Sequence, residues 1–233
     1  MNICLIPARG GSQRIPRKNI REFCGLPMIT RAIQTAISAG LFQRIVVSTD
    51  DDEIAAIAIA GGAEVPFRRP IELAENKVTT IQVVAHAIAE MDNSKIPLDR
   101  VCCLYPCTPL LTATDLVAGL ECLIRSGSHF SFPIAEHPSP IQRALERLDS
   151  GNVNPIFPVN ESMPSQNFPV GWYDAGQFYW GHWQSWLNEA SVHSNAAGHP
   201  IPRWRAIDID NEKDWEFAEL VFMALKQREN NGG

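Results

Sequence analysis

Short apolar runs alternate with longer amphipathic segments along the first half of the chain. Four of these runs predict buried strands, and they cover residues 3–6, 44–49, 101–105 and 130–134. In the segments between them, apolar positions recur every three or four residues, which predicts helices. Strands that alternate with helices form parallel sheets with right-handed crossovers. We therefore expect an α/β fold with a mainly parallel sheet, whose ligands bind at the carboxyl ends of the strands.

Residues 137–171 interrupt this pattern. They are rich in proline, asparagine and serine, and residues 149–152 have the composition of a hairpin turn between the stretches 142–148 and 153–157. The segment therefore predicts a β-hairpin inserted into the α/β domain.

After the insertion the strand and helix pattern returns. We predict an aromatic strand over residues 174–181, a last strand over 203–209, and a final helix with Trp215 and Phe222 on its buried stripe. The whole pattern predicts a single domain at 1–229, followed by a disordered tail, 230–233.

Composition limits the classes to which the protein can belong. The 233 residues are 45% hydrophobic and 20% charged, as in a globular protein with one substantial core. No run approaches the ~20 apolar residues of a membrane span, and the first strand begins directly after Met1, so we expect a cytoplasmic protein without a membrane partner. The six cysteines form no C-x-x-C pair, which disfavours a zinc site or a disulfide framework. A net charge of −6 disfavours nucleic-acid binding.

The loop after the first strand carries charge of the opposite sign. Gly10 and Gly11 have no Cβ, so their backbone N–H groups can approach an anion closely and form a nest for it. Cations surround the pair within ten residues, at Arg9, Arg14, Arg17 and Lys18. This local reversal of charge favours a polyanionic ligand such as a nucleoside triphosphate. A basic surface loop is the alternative.

The same loop resembles the signature of the CMP-sialic acid synthetase (acylneuraminate cytidylyltransferase) family, I-P-A-R-x-G-S-K-x-I-x-x-K-N. Residues 6–19 read IPARGGSQRIPRKN, so one fixed position differs, where Gln13 stands in place of lysine and Arg14 can substitute for the missing cation. The resemblance implies that the nucleotide is bound by Ala8, Arg9, Gly10, Gly11, Ser12, Arg14, Lys18 and Asn19. It also implies catalytic roles for Arg9 and Lys18.

Residues 69–74 resemble a second segment of the family, R-P-x-x-L-A, with a hydroxyl residue following at Thr80. The resemblance implies that Arg69 and Thr80 read the cytosine base. An arginine is a suitable donor to the O2 and N3 acceptors of cytosine. Nearby, Asp50 follows the second predicted strand and either caps the next helix or reaches the nucleotide or its metal.

Two further segments resemble the branch of the family that acts on pseudaminic acid. Tyr105 and Leu111 replace the Gln and Arg of the family's L-Q-P-T-S-P-L-R loop, and residues 174–180 read DAGQFYW, as in that branch. The resemblance implies that Tyr105 and Gln177 contact the sugar, whereas the aromatic residues beside Gln177 fit a plain buried strand. Pseudaminic acid is the implied sugar acid, with N-acetylneuraminic or legionaminic acid as the alternative.

Asp208 and Asp210 stand at positions i and i+2 of the last predicted strand, so their side chains share a face. Paired carboxylates beside a triphosphate suit Mg²⁺, which takes one or two protein carboxylates and keeps several waters. From the residues alone, a cap on the final helix is an equal alternative for one of them. The matching family motif implies that both are catalytic metal ligands.

The resemblance as a whole implies a Rossmann-like three-layer nucleotidyltransferase domain, with residues 137–171 as the dimerisation arm of a homodimer. The implied reaction is an in-line attack of the anomeric hydroxyl of a nonulosonic acid on the α-phosphate of CTP, assisted by Mg²⁺. A non-catalytic nucleotide-binding protein is the alternative of another class, although it would not need both aspartates. A dinucleotide oxidoreductase is disfavoured, because no G-x-G-x-x-G opens a helix after the first strand.

Overall fold

The computed structural model describes residues 1–92 and 98–231. Its strands are β1 (Asn2–Pro7), β2 (Glu22–Phe23), β3 (Leu26–Pro27), β4 (Arg44–Ser48), β5 (Arg100–Leu104), β6 (Phe130–Glu136), β7 (Leu145–Arg147), β8 (Val153–Pro155), β9 (Trp172–Asp174), β10 (Phe178–His182) and β11 (Ala196–Pro200). Its α-helices are α1 (Met28–Ala39), α2 (Asp52–Ala60), α3 (Thr80–Asp92), α4 (Ala113–Ser126), α5 (Trp183–Asn188) and α6 (Glu212–Asn231).

The central sheet has seven strands in the order β11-β6-β10-β5-β1-β4, and β9 pairs with β6 outside this path. β1 is parallel to β4 and β5, and β6 is parallel to β11. β10 runs antiparallel to both β5 and β6, and β9 is antiparallel to β6. β1, β4, β5, β6 and β11 therefore share one direction, which confirms the predicted mainly parallel sheet.

Both faces of the sheet are buried under helices, because side chains alternate along its strands. On β1, Cys4 and Ile6 point to a core shared with α1, α2 and α4. Ile3 and Leu5 point to a second core shared with α3 and α5. The predicted three layers are thus confirmed. No helix in the described part of the chain is long and apolar enough to cross a membrane.

The helix ends follow from local chemistry. α1 stops at Gly40, whose φ of 64° is left-handed and favours glycine. α4 starts in a capping box, in which Thr112 accepts the N–H of Asp115 and Asp115 accepts the N–H of Thr112.

The predicted last strand over residues 203–209 is wrong. Arg203–Arg205 form a 3₁₀ turn, and the chain from residue 206 to 211 is irregular. The edge of the sheet is formed instead by β11, which apolar periodicity does not reveal because its residues read AAGHP. Its Gly198 allows close packing, since a Cβ there would lie 2.4 Å from Cδ1 of Ile134. An edge strand also tolerates Pro200.

The insertion and the chain end differ in detail from the prediction. The hairpin forms as the separate β7–β8 pair, with only three residues in each strand. The aromatic strand is divided into β9 and β10 by a turn at Gly176, whose φ is 61°. α6 extends to Asn231 and so includes the first two residues of the predicted tail, whereas residues 232–233 lie outside the described residues.

Candidate active site

A cleft of about 330 Å³ lies where β1 and β5 end, between the loop after β1, the chain before α3 and the segment before α6. It brings together many of the residues predicted from the sequence, namely Arg9, Ser12, Arg14, Lys18, Asn19, Arg69, Thr80, Tyr105, Asp208 and Asp210. Four other predicted site residues do not line it: Ala8, Gly10, Gly11 and Gln177. The cleft thus unites segments that are up to two hundred residues apart in the chain, as parallel sheets do at their carboxyl ends.

The glycine pair does not form the predicted anion nest. Neither Gly10 nor Gly11 is among the described residues with positive φ. The Gly10 N–H donates to Asp50 Oδ1 at 3.0 Å, and a Cβ on Gly10 would lie 2.7 Å from Oδ2 of Asp51. Gly10 is therefore needed for close packing against a carboxylate, and Ala8 is buried in the core beneath the loop.

Arg17 also faces away from the cleft. Its φ of 57° is left-handed, and its guanidinium lies 2.5 Å from a carboxylate oxygen of Asp51 and 2.5 Å from one of Glu53. The hydrogen bond from Arg17 lowers the pKa of Asp51 to about 2. Asp51 caps α2 by accepting the Ile54 N–H at 2.9 Å, so the helix-cap role belongs to Asp51, whereas Asp50 holds the glycine loop.

One end of the cleft is strongly charged. Asp210 pairs with Arg14 at 2.7 Å and lies 4.0 Å from the ammonium of Lys18. The same ammonium donates to the carbonyl of Ile209 at 2.5 Å. Although Asp208 is exposed, partial desolvation in the cleft and the negative charge of Asp210 raise its pKa. The charges of the two loops thus contact one another directly.

The segment that carries Asp208 and Asp210 is irregular and is not part of a strand. Ile209 is fully buried with Trp215 and Phe23, so its neighbours on either side both line the cleft. The cap of α6 is Asn211, whose side chain accepts the N–H of Asp214 at 3.2 Å. The alternative that Asp208 or Asp210 caps this helix is therefore wrong.

The described residues contain no group of three or more His, Cys, Asp or Glu side chains that could hold a metal ion. The cleft instead offers the two carboxylates of Asp208 and Asp210. This donor set suits Mg²⁺, which binds through one or two carboxylates and completes its shell with water and substrate phosphates.

The other end of the cleft holds fewer charges. Arg69 is buried there, where its Nε donates to Ser48 Oγ at 3.0 Å and its Nη2 donates to the Ser48 carbonyl. Burial lowers the pKa of Arg69 to about 10, so the side chain remains a cation at neutral pH. Nη1 makes no hydrogen bond within the described part of the chain, which leaves it free to donate to a ligand.

Thr80 and Tyr105 meet beside Arg69, with 2.6 Å between their hydroxyl oxygens. The ring of Tyr105 also packs edge-on against Tyr179, with 5.6 Å between the ring centroids. Burial raises the pKa of Tyr105 to about 12, so its phenol is protonated at neutral pH. This end of the cleft therefore presents hydroxyl groups with defined partners.

Gln177 is placed differently from the sequence prediction. Its side chain is buried behind the cleft, and its Nε2 donates to the Arg205 carbonyl at 2.5 Å. Its backbone carbonyl accepts the Tyr105 N–H at 2.9 Å, while its neighbour Gly176 lines the cleft. Leu111 is likewise buried in the core and does not line the cleft. Neither side chain lines the cleft, and the sugar contact of Gln177 stays a prediction.

Several lining residues were not predicted from the sequence. They are Leu73, Glu75, Asn76, Val78 and Val83. The first four lie between Arg69 and Thr80 in the sequence, which was the available signal, and Val83 lies on α3 after Thr80.

Cys107 is a further lining residue that the sequence did not indicate. Its thiol donates to Asn19 Oδ1 at 3.3 Å, and Asn19 Nδ2 donates to the Arg9 carbonyl at 2.9 Å. Burial raises the pKa of Cys107 to about 12, so the thiol stays neutral and serves as a donor. Cys107 and Asn19 thus fix the backbone of the cationic loop.

With this geometry established, comparison with known proteins identifies the family. A sequence profile of the family described as cytidylyltransferase matches residues 3–148. The chain belongs to the cytidylyltransferase family. The predicted enzyme class, a nucleotidyltransferase, is thereby confirmed.

This cytidylyltransferase is similar to two kinds of curated relative. It is 37% identical to a pseudaminic acid cytidylyltransferase of Campylobacter jejuni over 222 residues, which are 95% of this chain and 96% of the relative. It is 27% identical to N-acylneuraminate cytidylyltransferase B of Danio rerio, over 92% of this chain and 50% of the relative.

Among solved structures, the cytidylyltransferase shares its fold with a CMP:2-keto-3-deoxy-manno-octonic acid synthetase complexed with CTP. The TM-score is 0.72 at 14% sequence identity, and the match covers 97% of this chain and 99% of the other. At this identity the likeness concerns the fold alone. It confirms the predicted Rossmann-like nucleotidyltransferase architecture.

Proposed function

We propose that the protein transfers the cytidylyl group of CTP to pseudaminic acid and releases pyrophosphate. The observation that carries the proposal is the likeness to the pseudaminic acid cytidylyltransferase of Campylobacter jejuni along nearly the whole chain. In the proposed reaction the anomeric oxygen of the sugar acid forms a bond to the α-phosphorus. The bond between the α-phosphorus and the oxygen that bridges to the β-phosphorus breaks, pyrophosphate leaves with that oxygen, and the proton of the anomeric hydroxyl passes to solvent.

The triphosphate occupies the charged end of the cleft in this proposal. Arg14 and Lys18 supply cations there that stabilise the bound phosphates and the charge that develops on the departing pyrophosphate, and Arg9, which lines the cleft and donates from Nη1 to the Ala74 carbonyl at 3.2 Å, adds a third positive charge. Ser12 lines the same end, and Asn19 holds the loop through the Arg9 carbonyl. The contacts of Arg14 and Lys18 with the segment before α6 support this role, because both cations reach the space between the two loops.

Asp208 and Asp210 would hold Mg²⁺ beside the triphosphate. The metal, when bound, neutralises phosphate charge and orients the triphosphate. The buried side chain of Ile209 anchors the segment between the two carboxylates and so orients both of them. Arg14 pairs with Asp210 at 2.7 Å and would need to exchange this partner for phosphate when nucleotide binds.

Arg69 and Thr80 would read the cytosine base at the less charged end. The free Nη1 of Arg69 and the hydroxyl of Thr80 face the same cleft, and Arg69 is held rigidly by Ser48. A buried cationic donor with a fixed direction suits the O2 and N3 acceptors of cytosine.

The sugar acid would lie against Tyr105 and Gly176. This part of the cleft includes an aromatic ring and a backbone turn, and nearby lining residues such as Val83 are apolar. Such a surface suits a sugar acid that carries a methyl group better than one with more hydroxyls, because a site built for hydroxyls leaves polar groups unpaired against a methyl. N-acetylneuraminic acid is the second candidate, since a relative that is 27% identical is named for N-acylneuraminate.

We also propose that the arm at residues 137–171 forms a homodimer. Eight large apolar side chains of this arm are exposed, namely Ile141, Leu145, Val153, Ile156, Phe157, Val159, Met163 and Val170. A hairpin of two short strands cannot bury them on its own, and such a concentration of apolar surface marks an interface. Sedimentation should give a dimer for the wild type and a monomer for V153D/F157D. The control I124D, at an exposed position of α4 outside the arm, should stay dimeric. A wild-type monomer would contradict this proposal.

The reaction itself is tested by pyrophosphate release from a mixture of CTP, Mg²⁺ and pseudaminic acid. We expect release only when nucleotide and sugar acid are both present, and a new product that contains CMP and the sugar. Binding of CTP without pyrophosphate release for any nonulosonic acid would instead favour the non-catalytic alternative.

A further inference from the structure

Tyr105 and Thr80 come from different parts of the fold and meet in the cleft. Tyr105 follows β5, Thr80 is the first residue of α3, and their hydroxyl oxygens are 2.6 Å apart. This distance is short for two hydroxyl groups, so one of them donates a well-formed hydrogen bond to the other. The sequence resemblance assigns Tyr105 to the sugar and Thr80 to the base, yet the structure joins the two side chains directly.

The geometry allows either hydroxyl to be the donor, so we assign the direction of this hydrogen bond from the chemistry of the two groups. Each hydroxyl carries one proton. A phenol is a stronger acid than an aliphatic alcohol and is therefore the better donor, which favours donation from Tyr105 to Thr80 Oγ1. Thr80 then keeps its own proton, and this proton is free to point into the cleft that the side chain lines.

The position of Tyr105 is itself fixed on two sides. Its backbone N–H donates to the Gln177 carbonyl at 2.9 Å, and its ring packs against that of Tyr179. Tyr179 is held in turn, because its hydroxyl donates to Asp174 at 2.8 Å. The phenol of Tyr105 therefore approaches Thr80 from a defined direction.

We infer that Tyr105 is a positioning residue for base selection: its hydroxyl orients Thr80 as a donor toward the base and thereby favours cytosine over uracil. This inference rests on the proposed base-reading role of Thr80 and Arg69. Cytosine presents acceptors at O2 and N3, so two protein donors match it. Uracil carries a proton at N3, which opposes a donor at the same place and leaves a buried polar group unpaired.

The test measures the dissociation constants of CTP and UTP by calorimetry, with Mg²⁺ present and without sugar acid. In Y105F the ring packing is retained and only the donor is lost. We expect the preference for CTP over UTP to fall by about three- to tenfold, the usual effect of one hydrogen bond. The matched control is Y173F, the same change on β9 outside the cleft, which should keep the wild-type preference. Thermal melting checks that each variant folds.

A double-mutant cycle tests whether Tyr105 acts through Thr80. T80V should lose the preference, and adding Y105F to T80V should cause no further loss. T80S, which keeps the hydroxyl, should retain most of the preference. The inference is overturned if Y105F keeps the wild-type CTP preference, whatever happens to the KM of the sugar acid, or if the two substitutions act additively.

Failure of the inference and failure of the proposed function give different results. If T80V and R69A both bind CTP as tightly as the wild type, the base-reading assignment itself is wrong. If both variants lose CTP affinity while Y105F keeps the CTP preference, only the role of Tyr105 is wrong, and a KM effect confined to the sugar acid would return Tyr105 to the sugar site.

Discussion

The two ends of the cleft differ in how their polar side chains are held. At the charged end, Arg14 and Lys18 approach the carboxylate of Asp210, and all three side chains are partly exposed. At the other end, Arg69 is buried and held by Ser48, and Tyr105 contacts Thr80. Exposed ion pairs contribute little to stability and exchange partners readily, whereas buried hydrogen bonds fix direction. The first end is therefore suited to neutralising a charged ligand, and the second to selecting among ligands of similar charge.

The largest effect is expected at the charged end. D208N and D210N keep the shape of the side chain and remove a charge, so each should lower turnover by at least ~10²-fold, the usual size of such electrostatic contributions. Pyrophosphate release measures the rate, and thermal melting checks the fold. D149N, the same change in the exposed turn of the arm, is the control. Near-normal turnover of both cleft variants would remove their assignment as metal ligands.

At the less charged end, R69A should weaken nucleotide binding rather than chemistry. Loss of a charged, buried hydrogen-bond donor costs on the order of 1.5–3 kcal/mol. The KM for CTP should therefore rise by about tenfold or more, with a smaller change in kcat. The neighbouring R68A removes an exposed arginine that pairs with Asp52 and should leave CTP kinetics unchanged. If R69A lowered kcat and kcat/KM equally, Arg69 would act in the chemical step and not in nucleotide binding, and the two ends of the cleft would not differ in this way.

The substitution Q177A distinguishes a structural role of Gln177, behind the less charged end, from a direct contact with the sugar. Because its buried amide donates to the Arg205 carbonyl, Q177A leaves that acceptor without its partner. We expect a loss of about 1–3 kcal/mol in the free energy of unfolding. Denaturant unfolding measures this loss. A stable Q177A that loses sugar turnover would restore the sugar contact implied by the sequence.

An effect of similar size, which disappears at low pH, concerns Asp115, which anchors the chain that leads to both aspartates of the cleft. Burial raises the pKa of Asp115, but hydrogen bonds from His199, Thr112 and Arg205 outweigh burial and lower it to about 2, against an ordinary value of 3.8. A carboxyl with a lowered pKa stabilises the fold above its unfolded value and loses this contribution as pH falls toward the folded value.

D115N should therefore unfold more easily than the wild type at pH 7. The difference in unfolding free energy, about 1–3 kcal/mol, should shrink as the pH is lowered from about 4 to about 2. Urea unfolding at several pH values measures it. A difference that does not depend on pH would show that the charge of Asp115 contributes nothing.

The predictability of the fold differed between its centre and its edge. The runs that became β1, β4 and β5 are apolar enough to be recognised without context, because both faces of a central parallel strand are buried. β11 has no such pattern, since an edge strand built around Gly198 needs little apolar surface. The alternation in residues 203–209 was real, but it reflects the burial of Ile209 under α6 and not a strand.

The site was predictable where a dense motif marks it. Arg9, Lys18, Asp208 and Asp210 were predicted as site residues and all line the cleft. The roles of Gly10 and Gln177 were not predictable, because each depends on a partner that is distant in sequence: Asp50 for the glycine and Arg205 for the glutamine. Sequence spacing carries no information about such contacts.

The central claim is that the protein transfers CMP to a nonulosonic acid and prefers pseudaminic acid. The most direct measurement is kcat/KM for pseudaminic, legionaminic and N-acetylneuraminic acids at saturating CTP, with pyrophosphate release as the readout. We expect pseudaminic acid to give the highest value. Equal or higher kcat/KM with N-acetylneuraminic acid would contradict the proposed substrate, and the absence of turnover with every acid would contradict the proposed reaction.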